Sequence, residues 1–462
     1  MWWCAALLAL SVVVRLAWGF ITPNGMNLVD LHVYVDGSAA LLQGDLYGFT
    51  YSEDTPDFPL PFTYPPFAAL VFLPLHLIPF GILGVAWQLL TVAALFAVVW
   101  ISLELVVGAR ARSRSWIGVA MLWTAAGIWT EPVRTTLDYG QINVFLVLGV
   151  MLAARSSRWW LSGGLVGVLA GIKLTPAITG LYFLAQRRWR EAVFSAVVFV
   201  GTVLVSLLVL GSQAATYFGS LFGDADRIGP VVSVWNQSLR GALGRLAGED
   251  VGLGPVWLVG VVVCAVLAFA AWRSLGPLPD GTQPDGTQPD GTQPDGTQPD
   301  GTQPDGTQPD GTQPDGTQPD GTQPDGTQDR LGTLLIVQLF GLLVSPISWV
   351  HHWVWVVPLL LWLVYGPLAR SLGARIVAAC WAVVTLIGVP WVLSTAQNSI
   401  WDVERPAPLA WLGAVNVVGV LAVYVVVILA ARRRGTHGEP VTTDPSAVPP
   451  RRSDAQEPDP TP

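Results

Sequence analysis

Window after window of about 20 residues in this chain lacks any charged side chain, the signature of helices that cross a lipid bilayer. Only 12% of the 462 residues are charged and 52% are hydrophobic, whereas soluble domains carry about 25% charged residues. The reading is an all-α, multi-span membrane protein. The formal charge of −8 says nothing about partners, because ten copies of PDGTQ at 279–328 bring ten aspartates and the rest of the chain stands at +2. Cys4, Cys264 and Cys380 all lie in apolar runs and read as small core residues without a disulfide. The first span has no basic leader region and no A-x-A site, so it reads as a retained helix.

Basic residues set the expected orientation. Seventeen of the 24 Lys and Arg residues gather in loops at 110–114, 155–158, 187–190, 273 and 330, 370–375, and in the tail from 432. The positive-inside rule assigns these to the cytoplasm. Spans are then expected near 2–20, 82–107, 116–131, 141–154, 190–211, 255–272, 331–346, 353–366, 374–394 and 410–431. Residues 66–80, broken by Pro74 and Pro79, should be a bent lead-in. Residues 161–185 start and end at basic loops yet are too few for two crossings of about 20 residues each. Two short helices broken near Lys173-Leu174-Thr175-Pro176 are expected instead, for twelve helices with both termini inside. The PDGTQ array has no apolar side chain, which predicts a disordered cytoplasmic linker between the two parts, 1–278 and 329–434, of one catalytic domain; 435–462 reads as a similar tail.

The candidate chemistry lies in the loops left for the outer face. The loop 21–65 carries six carboxylates (Asp30, Asp36, Asp45, Glu53, Asp54 and Asp57) and no Lys or Arg. Apolar spacing from Asp30 to Leu42 predicts a helix lying on the membrane. Asp30, at its start, is either an N-cap, a catalytic group, or both. Lys173 is the single lysine and sits in apolar GVLAGIKLTPA, so it either serves a lipid phosphate or structure, or snorkels to the interface. His351 and His352, in SPISWVHHWVW, point to different sides of a helix and make a poor metal pair; either one serves as a phosphate partner or proton carrier, or both anchor an aromatic belt with Trp349. Glu131, Arg134, Asp138, Gln141 and Asn143 crowd the outer mouth of two neighbouring spans around the expected loop 131–140, and Asn236, Gln237 and Arg240 do the same in the expected loop 212–254; they can bind sugar or phosphate, or merely cap and solvate. No Walker loop, G-x-G-x-x-G, H-E-x-x-H or Cys-His zinc spacing occurs, which disfavours a nucleotide-driven pump and a zinc protease.

Six segments in order, NLVDLHVYVDGSAALLQGDLYGFTY, PDFPLPFTYPPFAALVFLPLHLIPFG, LDYGQINVFL, GIKLTPAITG, VWNQSLRGAL and LLVSPISWVHHWVWVVPLLLW, together resemble the actinobacterial polyprenol-phosphate-mannose-dependent α-1,2-mannosyltransferases of glycosyltransferase family 87. The resemblance implies a GT-C-type bundle in the plasma membrane with its active site outside. It implies a polyprenyl-phosphate-mannose donor, a phosphatidylinositol mannoside acceptor, Asp30 as base, and His351 or His352 in the active site. Tyr64 and Trp349, aromatic residues of the quoted segments, join Arg134, Gln141, Asn143, Lys173, Asn236 and Arg240 as candidate substrate-binding residues. A charged N-terminal extension common in that family is missing, and the loop after Trp272 is expanded by the array. No metal, cofactor, nucleic acid or obligate protein partner is expected. Other readings are transfer to lipomannan or another mannan, a lipid or sugar transporter, and a non-catalytic envelope assembly protein. A transporter should show paired broken helices in internal repeats, and no second copy of the Asp30 loop or of GIKLTP is present. An assembly protein would lack the base.

Overall fold

The computed structural model describes residues 1–21, 26–55, 58–275, 329–397, 399 and 406–436. The PDGTQ array, the tail, Asp57 and Arg405 lie outside the described residues. In chain order the helices are α1 (Trp2–Ile21), α2 (Val29–Ala40), α3 (Pro66–Phe72), α4 (Phe80–Val107), α5 (Arg114–Gly127), α6 (Glu131–Tyr139), α7 (Asn143–Arg155), α8 (Trp159–Ile172), α9 (Thr179–Ala185) and α10 (Trp189–Leu210). They continue with α11 (Ser212–Thr216), α12 (Leu239–Ala247), α13 (Pro255–Arg273), α14 (Arg330–Val344), α15 (Val356–Tyr365), α16 (Leu372–Ile387), α17 (Val389–Ser394), α18 (Ala407–Leu412) and α19 (Val415–Thr436). Among the described residues the only sheet is a two-residue antiparallel ribbon, β1 (Thr50–Tyr51) with β2 (Leu60–Pro61).

Surface chemistry is that of a protein solvated by lipid. On α10, Val193, Val197, Val200, Leu204 and Leu208 point outward, a stripe at helical spacing that a water-soluble helix would bury. Val256, Val259, Val263 and Val266 do the same on α13. In contrast, α14 is buried continuously from Leu331 to Leu339 and α15 from Val356 to Leu363, so these two form the centre of the bundle.

Among the described residues, five helices are long and apolar enough to cross a bilayer: Trp2–Ile21, Phe80–Arg112, Trp189–Leu210, Pro255–Arg273 and Val415–Arg432. A sixth is α6 with α7, bent by 118°. The other expected crossings are shorter. The segment expected at 116–131 ends at Gly127, that at 331–346 at Val344, and that at 374–394 breaks at Gly388 (φ 77°). At the end of α14 the physical reason is a cavity, lined by Val344, Ser345 and Pro346: irregular backbone is tolerated where it lines a cavity.

The two interrupted segments form as the sequence predicts. The lead-in is α3 followed by a 3-10 turn, Leu73–Leu77, ahead of α4. The segment 161–185 is α8, an extended Lys173 (φ −147°, ψ 130°), a 3-10 turn at Thr175–Ile178, and α9. A face of α8 made of Gly163, Gly167 and Gly171 lies directly on α10. An added Cβ would meet the Glu191 carbonyl at 2.8 Å, the Ser195 carbonyl at 2.6 Å and the Thr202 side chain. Small residues at every fourth position let two membrane helices touch backbone to backbone.

Three expectations are corrected. Residues 131–140 are not a loop but α6, closed by Gly140 in the left-handed region (φ 69°). Residues 212–254 contain α11, a π turn at Tyr217–Leu221 and α12. Cys380 is exposed on α16 rather than in the core, while Cys264 is buried; all three thiols are free. Three of the basic loops are joined by polar contacts. Glu104 pairs with Arg112 (3.1 Å) and Arg155 (2.6 Å), and Arg188 reaches the Ser156 carbonyl (2.9 Å).

Candidate active site

Asp30 occupies the second position of α2, where a carboxylate is favoured by the helix dipole. It is not the cap. Leu28 is, in the left-handed conformation (φ 50°), which a Leu adopts at a cost of about 1 kcal/mol or more. Asp138 holds it there, its carbonyl accepting the Leu28 amide at 2.9 Å. The rest of α2 is well anchored: Leu31, Val33, Tyr34 and Val35 are buried.

Asp30 opens onto a cavity of about 720 Å³ walled also by Tyr64, Gln141, Asn143, Lys173, Trp349, His351 and His352. Eight of the eleven sequence candidates therefore share one space. They come from the start of α2, the strand exit before α3, the break between α6 and α7, the break after α8, and the turn before α15. Each is a place where backbone regularity fails, so polar side chains project into a common gap.

Lys173 is buried and fully engaged on one side. Its Nζ donates to Asn143 Oδ1 (3.0 Å) and Gln141 Oε1 (3.3 Å) and sits 5.4 Å from the centre of the Tyr64 ring. The Gln141 Oε1 also accepts from Tyr34 OH (2.8 Å), so its amide nitrogen faces Tyr64 OH at 3.5 Å. Asn143 donates to the His351 carbonyl (2.9 Å), tying α7 to the histidine turn. Burial raises the Asp30 carboxyl to about 6, against the lowering effects of a hydrogen bond with Gln141 and the Lys173 charge. Its open surface faces the cavity and not bulk water, which is how a half-exposed carboxylate is so poorly solvated.

The histidines differ. His351 is 6% exposed, lies edge-on to Tyr139 at 6.0 Å, and has both ring nitrogens enclosed without partners. His352 is half-buried and only its Nδ1 is enclosed and unpartnered.

Three candidates stand away from the cavity wall. Arg240 forms a two-pronged pair with Asp250 (2.9 and 2.6 Å). Arg134 stacks on Trp391 at 5.5 Å. Asn236 is a scaffold residue: its Nδ2 donates to the Val231 (2.7 Å) and Pro346 (3.1 Å) carbonyls, and its Oδ1 accepts the Ser238 (3.1 Å) and Ser348 (2.9 Å) amides. Tyr34, Tyr47, Tyr217 and Arg227 were not singled out from sequence, yet they anchor or line the site. Arg227 carried one usable signal, its place among the few cations of the outer loops. Among the described residues no group of three or more His, Cys, Asp or Glu converges as a metal site.

The model for Glycosyltransferase family 87 matches residues 62–281. The chain is 51% identical, over 90% of its length and 88% of the relative's, to a polyprenol-phosphate-mannose-dependent alpha-(1-2)-phosphatidylinositol pentamannoside mannosyltransferase of Mycolicibacterium smegmatis. It is 50% identical to a protein of the same description from Mycobacterium tuberculosis, over 90% and 84% of the two lengths. A Mycolicibacterium smegmatis phosphatidylinositol mannoside mannosyltransferase with the same donor dependence is 29% identical over 98% and 95%. No solved structure matches the chain.

Proposed function

The chain belongs to glycosyltransferase family 87, and on that premise we propose that it transfers mannose from polyprenyl-phosphate-mannose to a phosphatidylinositol mannoside, forming an α-1,2 link. The observation that carries this reading is the ionisable carboxylate of Asp30 on the wall of a cavity that also holds Lys173 and His352. A β-linked mannosyl phosphate giving an α-linked product needs one inversion, hence one in-line displacement. Asp30 takes the proton of the acceptor hydroxyl as that oxygen bonds to the anomeric carbon and the C–O bond to phosphate breaks. Gln141 and Lys173 keep Asp30 charged and aimed. His352, whose Nε2 is the one ring nitrogen of the pair not enclosed, hydrogen-bonds a substrate oxygen, with His351 packed behind it.

We read the bundle as GT-C-type, its short helices completing twelve crossings or partial crossings around a single catalytic domain. The basic loops lie in the cytoplasm with both termini, and the cavity opens to the outer face of the plasma membrane. Purified protein supplied with polyprenyl-phosphate-mannose and defined phosphatidylinositol mannosides should yield a product one hexose heavier that α-1,2-mannosidase digests. Transfer to a mannan but to no phosphatidylinositol mannoside would overturn the acceptor, and no transfer at all would overturn the reading.

A further inference from the structure

Among the described residues, the lysine and arginine side chains on the cavity wall are Lys173 and Arg227. Lys173 is committed to Gln141 and Asn143 and acts on Asp30. Arg227 stands in the turn between the π helix and α12. One arm of its guanidinium is fixed, Nη2 donating to the Tyr47 carbonyl at 2.5 Å. Its Nε is enclosed and has no partner. No ion pair to Arg227 occurs among the described residues. Its own amide is held by Asp224 Oδ1 at 3.3 Å, but that carboxylate is exposed and makes no pair with the guanidinium. Beside it, Tyr47 and Tyr217 stack with ring centres 5.4 Å apart, and Tyr47 OH donates to the Tyr64 carbonyl at 3.0 Å. The guanidinium is thus positioned by the fold, and its Nη1, neither bonded nor enclosed, is left to donate at the cavity.

In an in-line displacement the base and the leaving group lie on opposite sides of the reacting carbon. A cation that stabilises the Asp30 charge is badly placed to take the departing phosphate as well. We infer that Arg227 binds the donor's phosphate, its free guanidinium donors meeting the oxyanion that forms as the mannosyl bond breaks. The choice of donor over acceptor follows from chemistry. The donor phosphate is one bond from the reacting carbon, so it must lie in the cavity with Asp30. The phosphodiester of an oligomannosylated acceptor is separated from its reacting sugar by the intervening mannoses. A planar fork with several N–H donors suits phosphate oxygens better than a point charge.

This inference rests on the mannosyl-transfer reading, and binding measurements separate the two. Polyprenyl phosphate and polyprenol are titrated against full-length protein in detergent, parent and Arg227→Gln, with no turnover involved. Arg227→Gln should weaken polyprenyl phosphate by about tenfold or more, the loss expected of charge-assisted hydrogen bonds, and leave polyprenol unchanged. Arg227→Lys should recover part of the difference. In turnover, the donor KM should rise while the acceptor KM holds. Equal polyprenyl phosphate binding by the parent and Arg227→Gln would overturn the inference. So would equal losses for phosphate and polyprenol, which would make Arg227 a loop brace for Tyr47, or a rise confined to the acceptor KM.

Discussion

Arg15 of the first helix donates to the Asp138 carboxylate, and Asp138's carbonyl in turn holds the Leu28 amide two residues ahead of Asp30. Arg15 also reaches the Arg134 carbonyl (3.2 Å), so a charge in the middle of a lipid-facing helix ties α1 to α6 and to the strained start of α2. A buried ion pair persists at such a site because removing either partner leaves the other uncompensated, at about 3–5 kcal/mol. Arg15→Met should lower kcat by about tenfold or more with donor and acceptor KM little changed, since misplacing a base costs rate rather than binding. Arg15→Lys should restore most of it. An Arg15→Met protein that turns over like the parent would show that α1 does not position Asp30.

Asp30 works as a base only when ionised. With its carboxyl raised to about 6, turnover should climb as pH rises through that value and level off above it. Lys173→Met removes a charge that lowers the Asp30 pKa, so the acidic limb should move to higher pH by about one unit or more. Asp30→Asn should cost about 10² or more in kcat on the plateau above about 6 and should lack the acidic limb. A pH–rate profile for the three proteins is the check; a limb unmoved in Lys173→Met would remove Lys173 from this role.

The histidine pair divides by access. His352→Ala should lower kcat/KM for the donor by about tenfold or more. His351→Ala should act mainly through packing, lowering Tm together with activity, because both its nitrogens are enclosed. Steady-state kinetics alongside melting curves separate the two, and the opposite pattern would exchange their roles.

Ser274 and Leu275, at the end of α13, line one small cleft together with Asp329 and Trp362. Asp329 caps α14, accepting from the Gly332 amide and from Trp362 Nε1, both at 2.7 Å. Leu275 and Asp329, the described residues on either side of 276–328, therefore lie close together. Deleting 279–328 should leave insertion, melting temperature and transfer close to the parent's. A large loss of activity at equal protein level would give the array a role beyond connection.

Much of this molecule is written locally in its chain. Charge-free windows place the long helices, and Lys173 followed by Pro176 marks the break after α8. Pro74 and Pro79 mark the bent lead-in to α4. These are properties of segments of about 20 residues or fewer, set by hydrocarbon solvation and by what proline and charge forbid in a helix. Lys173 stood out for the same reason, as an ionisable group where apolar neighbours make it expensive, whereas Asp30 stood out in a loop of carboxylates without Lys or Arg and the histidines as an adjacent pair in an aromatic turn.

What the tertiary structure decided is which polar groups meet. The helix α6 escaped notice because its Glu131, Arg134 and Asp138 look like loop residues until Arg15 and Trp391 are seen to receive them. Arg240 and Asn236 carry the same chemistry in sequence as a ligand-binding Arg or Asn, yet Asp250 and four backbone groups consume their hydrogen bonds. Arg227 carries no better local signal, and only the packing of its turn against Tyr47 leaves it facing the cavity. Residue type sets what a side chain is able to bind. Whether its donors are already spent depends on contacts between separate elements, such as Lys173 meeting Asn143, 30 residues away, across a helix break held in place by glycine contact between α8 and α10.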